Sequence, residues 1–468
     1  MLISDSPFTT ADTSLESHFA FFRKGIIGQN QTIETNEKVV KMLYADWTAS
    51  GRCYKPIEDS MLEEVLPFIG NTHTETNYVG SYITDRYLSA RQQIKRHVNA
   101  NEDDILISYG SGMTDVINKL QRLLGLRLPE SDKWIRQTLI KEQPVVFITH
   151  LEHHSNHTSW LETICKVIVV PPDDNGLVSV SNFREAIGQF PERLKIASIT
   201  ACSNVTGIET PFHEIAKLMH ESGGYCFVDF ACSAPYVDMD MHPDEVSYLD
   251  AIMFSPHKFL GGPGASGILI VNEKLINNAT PDVSGGGTVD WTNPWGGRKY
   301  VGDIEEREDG GTPAILQTIR AAKAIELKEQ MRSELMSRRE KQLMEILWEG
   351  LDDMPELVVL ADQVRERLGI ISFYIEGIHY NDVVQYLNDH YGIQVRGGCS
   401  CAGTYGHFLL DIDRKESKRI TDLIDQGDVT QKPGWVRLSI HPTMTDEEMY
   451  FIVRSIQEMI ASLKASNS

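Results

Sequence analysis

The sequence predicts an α/β fold with a large domain built on a mostly parallel sheet, followed by a smaller C-terminal α/β domain. Three observations predict it. Short β-rich runs alternate with helical patterns from about residue 40 to residue 272. A glycine- and proline-rich stretch, "SGGGTVDWTNPWGGRKYVGDIEEREDGGTP", interrupts that alternation at 284–313 and reads as loop. A second, shorter alternation then runs to the end of the chain.

In chain order, "DILISYG" (104–110), "VVFITH" (145–150), "LKIASIT" (194–200), "YCFVDF" (225–230) and "AIMFS" (251–255) read as strands. "GILIVNEKL" (267–275) adds one more. "TDVINKLQRLLGL" and "PFHEIAKLMHES" read as helices between them. A long helix is expected from Ile315 to Trp348, with Gly350 as its stop. Beyond it come "GIISFYIEG", a helix near 380–391, "GIQVRGG", "WVRLSIH" and a last helix near 445–464. Residues 403–434 are mostly glycine and polar, with one helical patch. The expected division is an N-terminal segment, 1–39, packing with the small domain, a large domain at 40–313, and the small domain at 314–468.

Composition bounds the function. The chain has 468 residues, enough for two or three domains. With 41% hydrophobic and 24% charged residues it reads as a globular protein. A net charge of −22 argues against nucleic acid or an anionic membrane as partner. No apolar run reaches the roughly 20 residues that span a bilayer, and the start, "MLISDSPFTTADTSLESHF", lacks a signal-peptide pattern. The 7 cysteines have no framework spacing, which fits reduced thiols and a cytoplasmic location.

In open parallel α/β sheets, ligands sit beyond the carboxyl ends of the strands. Those ends carry "GSGMTD", "HLEHHSN", "ACSNVTG", Asp229 and "SPHK". One edge therefore gathers a glycine-rich turn, histidines, an asparagine, an aspartate and a lysine. The turn opens a helix whose first N–H groups suit a phosphate, with the Thr114 hydroxyl beside them. A lysine at a strand end suits a Schiff base with pyridoxal 5'-phosphate (PLP), and Asp229 is placed to hold a proton on the pyridine nitrogen. A histidine can cover the ring, and Ser255 and His257 flank the lysine at the phosphate end.

These residues carry a resemblance. The chain resembles fold-type I PLP enzymes of the class V aminotransferase superfamily, and within them the cysteine desulfurases and selenocysteine lyases. It does so at "SGMTDVIN", "EHHSN", "SNVTG", "VDFACS", "FSPHKFLGGPGASG", "GGGT", "GGTP", "VRGGCSCAG" and "VRLSI", over roughly residues 40 to 445. The resemblance implies a seven-stranded sheet in the large domain. It implies that Lys258 binds PLP covalently, that Asp229 pairs with the pyridine nitrogen, and that His153, rather than His154, stacks on the ring and shuttles a proton. It further implies Met113, Thr114, Ser255 and His257 at the phosphate, Asn204 at the cofactor oxygen or substrate, and Thr288 reaching the phosphate of a neighbouring subunit. Arg437 would hold the substrate carboxylate. In "RGGCSCAG", Arg396, Gly398, Cys401 and Ala402 match the segment around the desulfurase nucleophile, so Cys401 would take the sulfur as a persulfide.

The implied activity converts L-cysteine to L-alanine in a homodimer, with a sulfur-acceptor protein as a further partner. Three departures bear on substrate, one being that the stretch after Cys401, 403–434, is longer than the resemblance leads one to expect. Cys232 stands where the family has glutamine, and a second thiol, Cys399, precedes Cys401. Transamination, β-lyase or epimerase chemistry on another amino acid uses the same cofactor, and a PLP-binding protein with little turnover is a third reading. A metal site at Cys399, Cys401 and His407 lacks the usual paired spacing. Cys53, Cys165, Cys202 and Cys226 read as small buried hydrophobes.

Overall fold

The computed structural model describes residues 14–72, 76–132, 134, 138 and 142–466. Seven strands form the main sheet: β1 (Asp104–Tyr109), β2 (Val145–Thr149), β3 (Lys166–Val170), β4 (Lys195–Thr200), β5 (Tyr225–Asp229), β6 (Ala251–Phe254) and β7 (Gly267–Asn272). Their order across the sheet is β1-β7-β6-β5-β4-β2-β3. β7 runs antiparallel to both neighbours, and the remaining pairs are parallel. β2 and β4 are buried along their whole length. Covered on both faces, β2 is apolar up to its final threonine, while β4 also buries Lys195, Ser198 and Thr200. β3, "KVIVV", lies at the edge and was not among the expected strands.

The expected helix beyond residue 315 is two helices. Ile315–Met331 ends where Arg332 takes a left-handed φ of 64°, and Ser333–Asp352 begins again at once. Gly350 is therefore not a stop. It lies inside the second helix, where an added Cβ would come within 2.3 Å of Val453 Cγ1. Its job is close approach to the last helix, Asp446–Ser466. The stretch 284–313 is also more ordered than a loop. Val289–Thr292 and Arg298–Tyr300 pair as a hairpin, and Ile304–Arg307 is a short helix. Residues 403–434 hold two helices, Gly403–Leu409 and Arg414–Asp425.

A second, antiparallel sheet contains β8 (Leu357–Val359), β9 (Ile370–Ile375), β10 (Arg396–Gly398) and β11 (Trp435–Ser439), in the order β8-β9-β11-β10. Early residues lie against this part. Leu43–Tyr44 pairs in parallel with Ile393–Gln394, and Asp46 bridges to Ser439. Helix Leu15–Arg23 is tied by Arg23 to Glu448 and by Glu16 to Arg339. Residues 1–13 lie outside the described residues. Among the described residues no helix is long and apolar enough to cross a membrane.

Candidate active site

A cavity of about 320 Å³ lies at the carboxyl ends of β1, β2, β4, β5 and β6, with Arg396 and Arg437 of the second sheet on its far side. All the site residues singled out from sequence line it except Thr288.

At one end the chain leaves β1 and turns into helix Met113–Leu123. Gly112 caps that helix, and a Cβ there would sit 3.0 Å from His257 Cε1 and 3.1 Å from Ser255 Oγ. Only glycine leaves this cradle open. The Met113 N–H donates to Ser255 Oγ at 2.9 Å, and Thr114 Oγ1 lies 2.6 Å from Ser155 Oγ. His257 Nδ1 is 2.9 Å from the Ser111 carbonyl, so it carries the proton and donates. Hydroxyls and first-turn N–H groups at a helix N-terminus make an anion-binding end.

At the other end lie Asp229, Lys258 and His153. Asp229 closes β5 and is buried; its Oδ1 accepts from the Ala231 N–H at 2.8 Å. Burial pushes its pKa up to about 6, against that bond and the pull of Lys258. Lys258 follows β6 on a single tight turn, Pro256–Lys258, and among the described residues its Nζ makes no hydrogen bond. Desolvation lowers its pKa; Cys232 and Asp229 oppose that. A lysine held this way is more easily neutral and nucleophilic. Burial, then the Lys258 charge, brings the His153 pKa down to about 4. The Ser155 N–H donates to His153 Nδ1 at 3.1 Å, so the neutral ring keeps its proton on Nε2.

Asn204 donates from Nδ2 to the Ser400 carbonyl at 2.8 Å, while its Oδ1 is buried without a partner among the described residues. A buried acceptor with no donor is costly, and a ligand that supplies one relieves it.

Arg437 is not free. Its Nη2 donates to Asp46 Oδ1 at 2.7 Å and its Nη1 to the Asn204 carbonyl at 3.1 Å, leaving Nε buried and, among the described residues, unpartnered. Arg396 stands directly opposite Arg437 in the β10–β11 register and meets the other oxygen of the same aspartate, Asp46 Oδ2, at 2.8 Å. Asp46 thus sits between two guanidiniums. Sequence reading missed it, along with Thr48 and Ser155 on the cavity wall. It missed Glu152 as well, which accepts from Thr149, Asn156 and Thr200 beneath the His153 turn. The neighbouring "EHH" letters were the only cue for Glu152. Replacing Asp46 by alanine leaves Arg437 buried without its anion. The expected loss is about 3–5 kcal/mol of folding stability, read from urea unfolding. A variant as stable as wild type would show that the pair is not load-carrying.

Cys401 is exposed and lines the cavity, whereas Cys399 packs against the apolar cluster that contains Leu360, Tyr405 and Trp435 and does not. Cys232 is buried on the cavity wall, its Sγ donating to the Cys202 carbonyl at 3.4 Å. Thr288 is buried elsewhere, its Oγ1 donating to the Gly285 carbonyl at 2.7 Å. His407 is spent on Gly403 and Ser417.

Known proteins share this arrangement of sequence and fold. A protein of Halalkalibacterium halodurans named "Probable cysteine desulfurase" is 28% identical over 366 residues, 77% of this chain and 84% of its own. One of the same name from Pyrococcus abyssi is 25% identical over 440 residues, 91% of this chain and 96% of its own. Among solved structures, the apo cysteine desulfurase of Thermococcus onnurineus superimposes with a TM-score of 0.75 at 24% identity, covering 94% of this chain and 98% of its own. A cysteine desulfurase of Escherichia coli gives 0.69 at 22% identity, covering 89% and 94%. At those identities the two structures speak for the fold. Residues 43–450 match the family described as "Aminotransferase class-V". The chain belongs to the class-V aminotransferase family.

Proposed function

We propose that the protein is a PLP-dependent cysteine desulfurase, converting L-cysteine to L-alanine and leaving the sulfur on Cys401 as a persulfide. The observation that carries it is a single cavity holding an unbonded Lys258, a buried Asp229 and, at its mouth, the exposed Cys401. The residues fit the cofactor. The Gly112 cradle with Ser255, His257 and Thr114 suits a phosphate, and Asp229 offers a carboxylate to a protonated ring nitrogen. Lys258 would hold the group covalently. When bound, PLP supplies an electron sink for charge developing on the amino acid.

The chain's own residues do the rest. Asp229 keeps a negative charge at the ring end. His153 holds a proton at Nε2 on the cavity side. Arg396 and Arg437, aligned by Asp46, present positive charge to a carboxylate. The Cys401 thiolate takes the sulfur: the carbon–sulfur bond of cysteine breaks, a sulfur–sulfur bond forms on Cys401, and a proton goes to the carbon that becomes the alanine methyl. Incubating the purified, PLP-loaded protein with cysteine tests this directly. The expected result is alanine in solution and a mass gain of one sulfur on the protein. Amino-group exchange with a keto acid and no sulfur gain would move the reading to transamination.

Asp229→Asn should retain bound PLP but lose most turnover, because an amide cannot stabilise the ring proton as a carboxylate does. An unchanged rate would remove Asp229 from that role. We also propose a cytoplasmic homodimer in which Thr288 serves a site shared with a second copy, and a protein acceptor for the sulfur. The division at about residues 39 and 313 belongs to the same proposal. Analytical ultracentrifugation checks the dimer.

A further inference from the structure

Residues 400–403 carry Cys401 across the mouth of the cavity on a strained backbone. Ser400 and Cys401 have φ values of 51° and 57°. Each such residue other than glycine costs on the order of 1 kcal/mol or more. Two in a row persist only if neighbouring groups hold them. Asn204 Nδ2 and Trp435 Nε1 take the Ser400 side, bonding its carbonyl and its hydroxyl at 2.8 and 3.2 Å. The far side is held by helix His154–Leu161. The His154 N–H donates to the Cys401 carbonyl at 2.7 Å. Its imidazole Nε2 accepts from the Gly403 N–H at 2.9 Å. One turn later, His157 Nδ1 lies 3.0 Å from Thr404 Oγ1. Gly403 presses so close that an added Cβ would sit 3.0 Å from His154 Nε2.

His154 therefore grips the chain at two points from Cys401 onward, its backbone N–H on the Cys401 carbonyl and its ring on the Gly403 N–H. Its neighbour, His153, faces the cavity. We propose that His154 is a positioning residue: its neutral imidazole holds the strained Cys401 loop over the cavity, in fixed relation to His153. The inference rests on Cys401 being the sulfur acceptor. Burial, and then Lys432, lower the His154 pKa, which keeps the ring in the neutral form that an acceptor requires.

The test uses the PLP-loaded protein with three variants. His154→Leu removes the acceptor and keeps the backbone bond. His154→Gln places an amide oxygen near the lost nitrogen. Gly403→Pro removes the donor at the first position of a helix and also sets ring carbons against His154 Nε2, which even a Cβ would approach to 3.0 Å, so it is a second disruption of the same contact. Two readouts do not depend on turnover: alkylation of Cys401 by iodoacetamide, and hydrogen exchange of the peptide spanning 400–405. Losing one such bond should raise both by about fivefold to tenfold in His154→Leu and in Gly403→Pro, with no further gain in the double variant. The visible absorbance of bound PLP should stay unchanged. For cysteine, kcat should fall with little change in KM, and His154→Gln should recover most of it. Alkylation and exchange at wild-type rates in both His154→Leu and Gly403→Pro would overturn the proposal. If the loop loosens as expected but Cys401→Ser still turns over, the latch stands and the desulfurase reading falls.

Discussion

Lys258→Ala is expected to abolish both the visible absorbance of bound PLP and turnover, by about 10³-fold or more. The lysine comes off β6 on one tight turn and reaches the cavity without, among the described residues, a hydrogen bond to hold its charge. Desolvation lowers its pKa, and Asp229 and Cys232 only partly oppose that. A purely structural lysine would be paired, as Lys119 is with Glu308 at 2.9 Å and Lys328 is with the Ala234 carbonyl at 2.8 Å. The same contrast predicts the effect on stability. Removing an unpaired, desolvated ammonium relieves a cost, so the PLP-free variant should unfold at a temperature equal to or above that of the PLP-free wild type. Removing Lys119 should do the reverse, because it strands the buried Glu308. A Lys258→Ala protein with normal absorbance would overturn the cofactor assignment. One that is strongly destabilised without PLP would make the lysine structural instead.

Most of this cavity was legible because it is built from strand ends. Strands β2, β4, β5 and β6 are buried, and the short polar stretches that close or follow them stand out in the sequence: they hold His153, Asn204, Asp229 and Lys258. The chain's own layout thus displays the wall of the site. Asp46 was invisible for the opposite reason. It lies in "LYADWTAS", 391 residues from the Arg437 it binds, and only the docking of Leu43–Tyr44 beside Ile393–Gln394 brings the two together. Strand β3 is half-exposed at an edge, which weakens its signal. The break at Arg332 has no glycine or proline to announce it. Side-chain direction was also beyond reach. Cys399 and Cys401 are two residues apart, and only the left-handed turn through Ser400 and Cys401 sends one into an apolar cluster and the other to the cavity.

That divergence sets the second large expectation. Cys401→Ser should keep the PLP absorbance and still bind cysteine, yet lose sulfur transfer by about 10³-fold, because a hydroxyl is a far poorer acceptor of sulfur than a thiolate. Cys399→Ser should retain most activity, since that side chain packs against the cluster of Leu360, Tyr405 and Trp435 rather than the cavity. Arg396 shares the cavity wall with Cys401 and is held there by Asp46. Cys232 is the competing thiol on the cavity wall, but it is buried and bonded to the Cys202 carbonyl, without a path to a protein acceptor in solvent. Intact-protein mass spectrometry after cysteine treatment separates these possibilities. A gain of one sulfur in wild type and in Cys399→Ser, absent in Cys401→Ser, fixes the acceptor. The same gain persisting in Cys401→Ser but lost in Cys232→Ser would transfer the role to the buried thiol. Alanine formed without sulfur gain in any variant would leave the class-V fold with a different reaction.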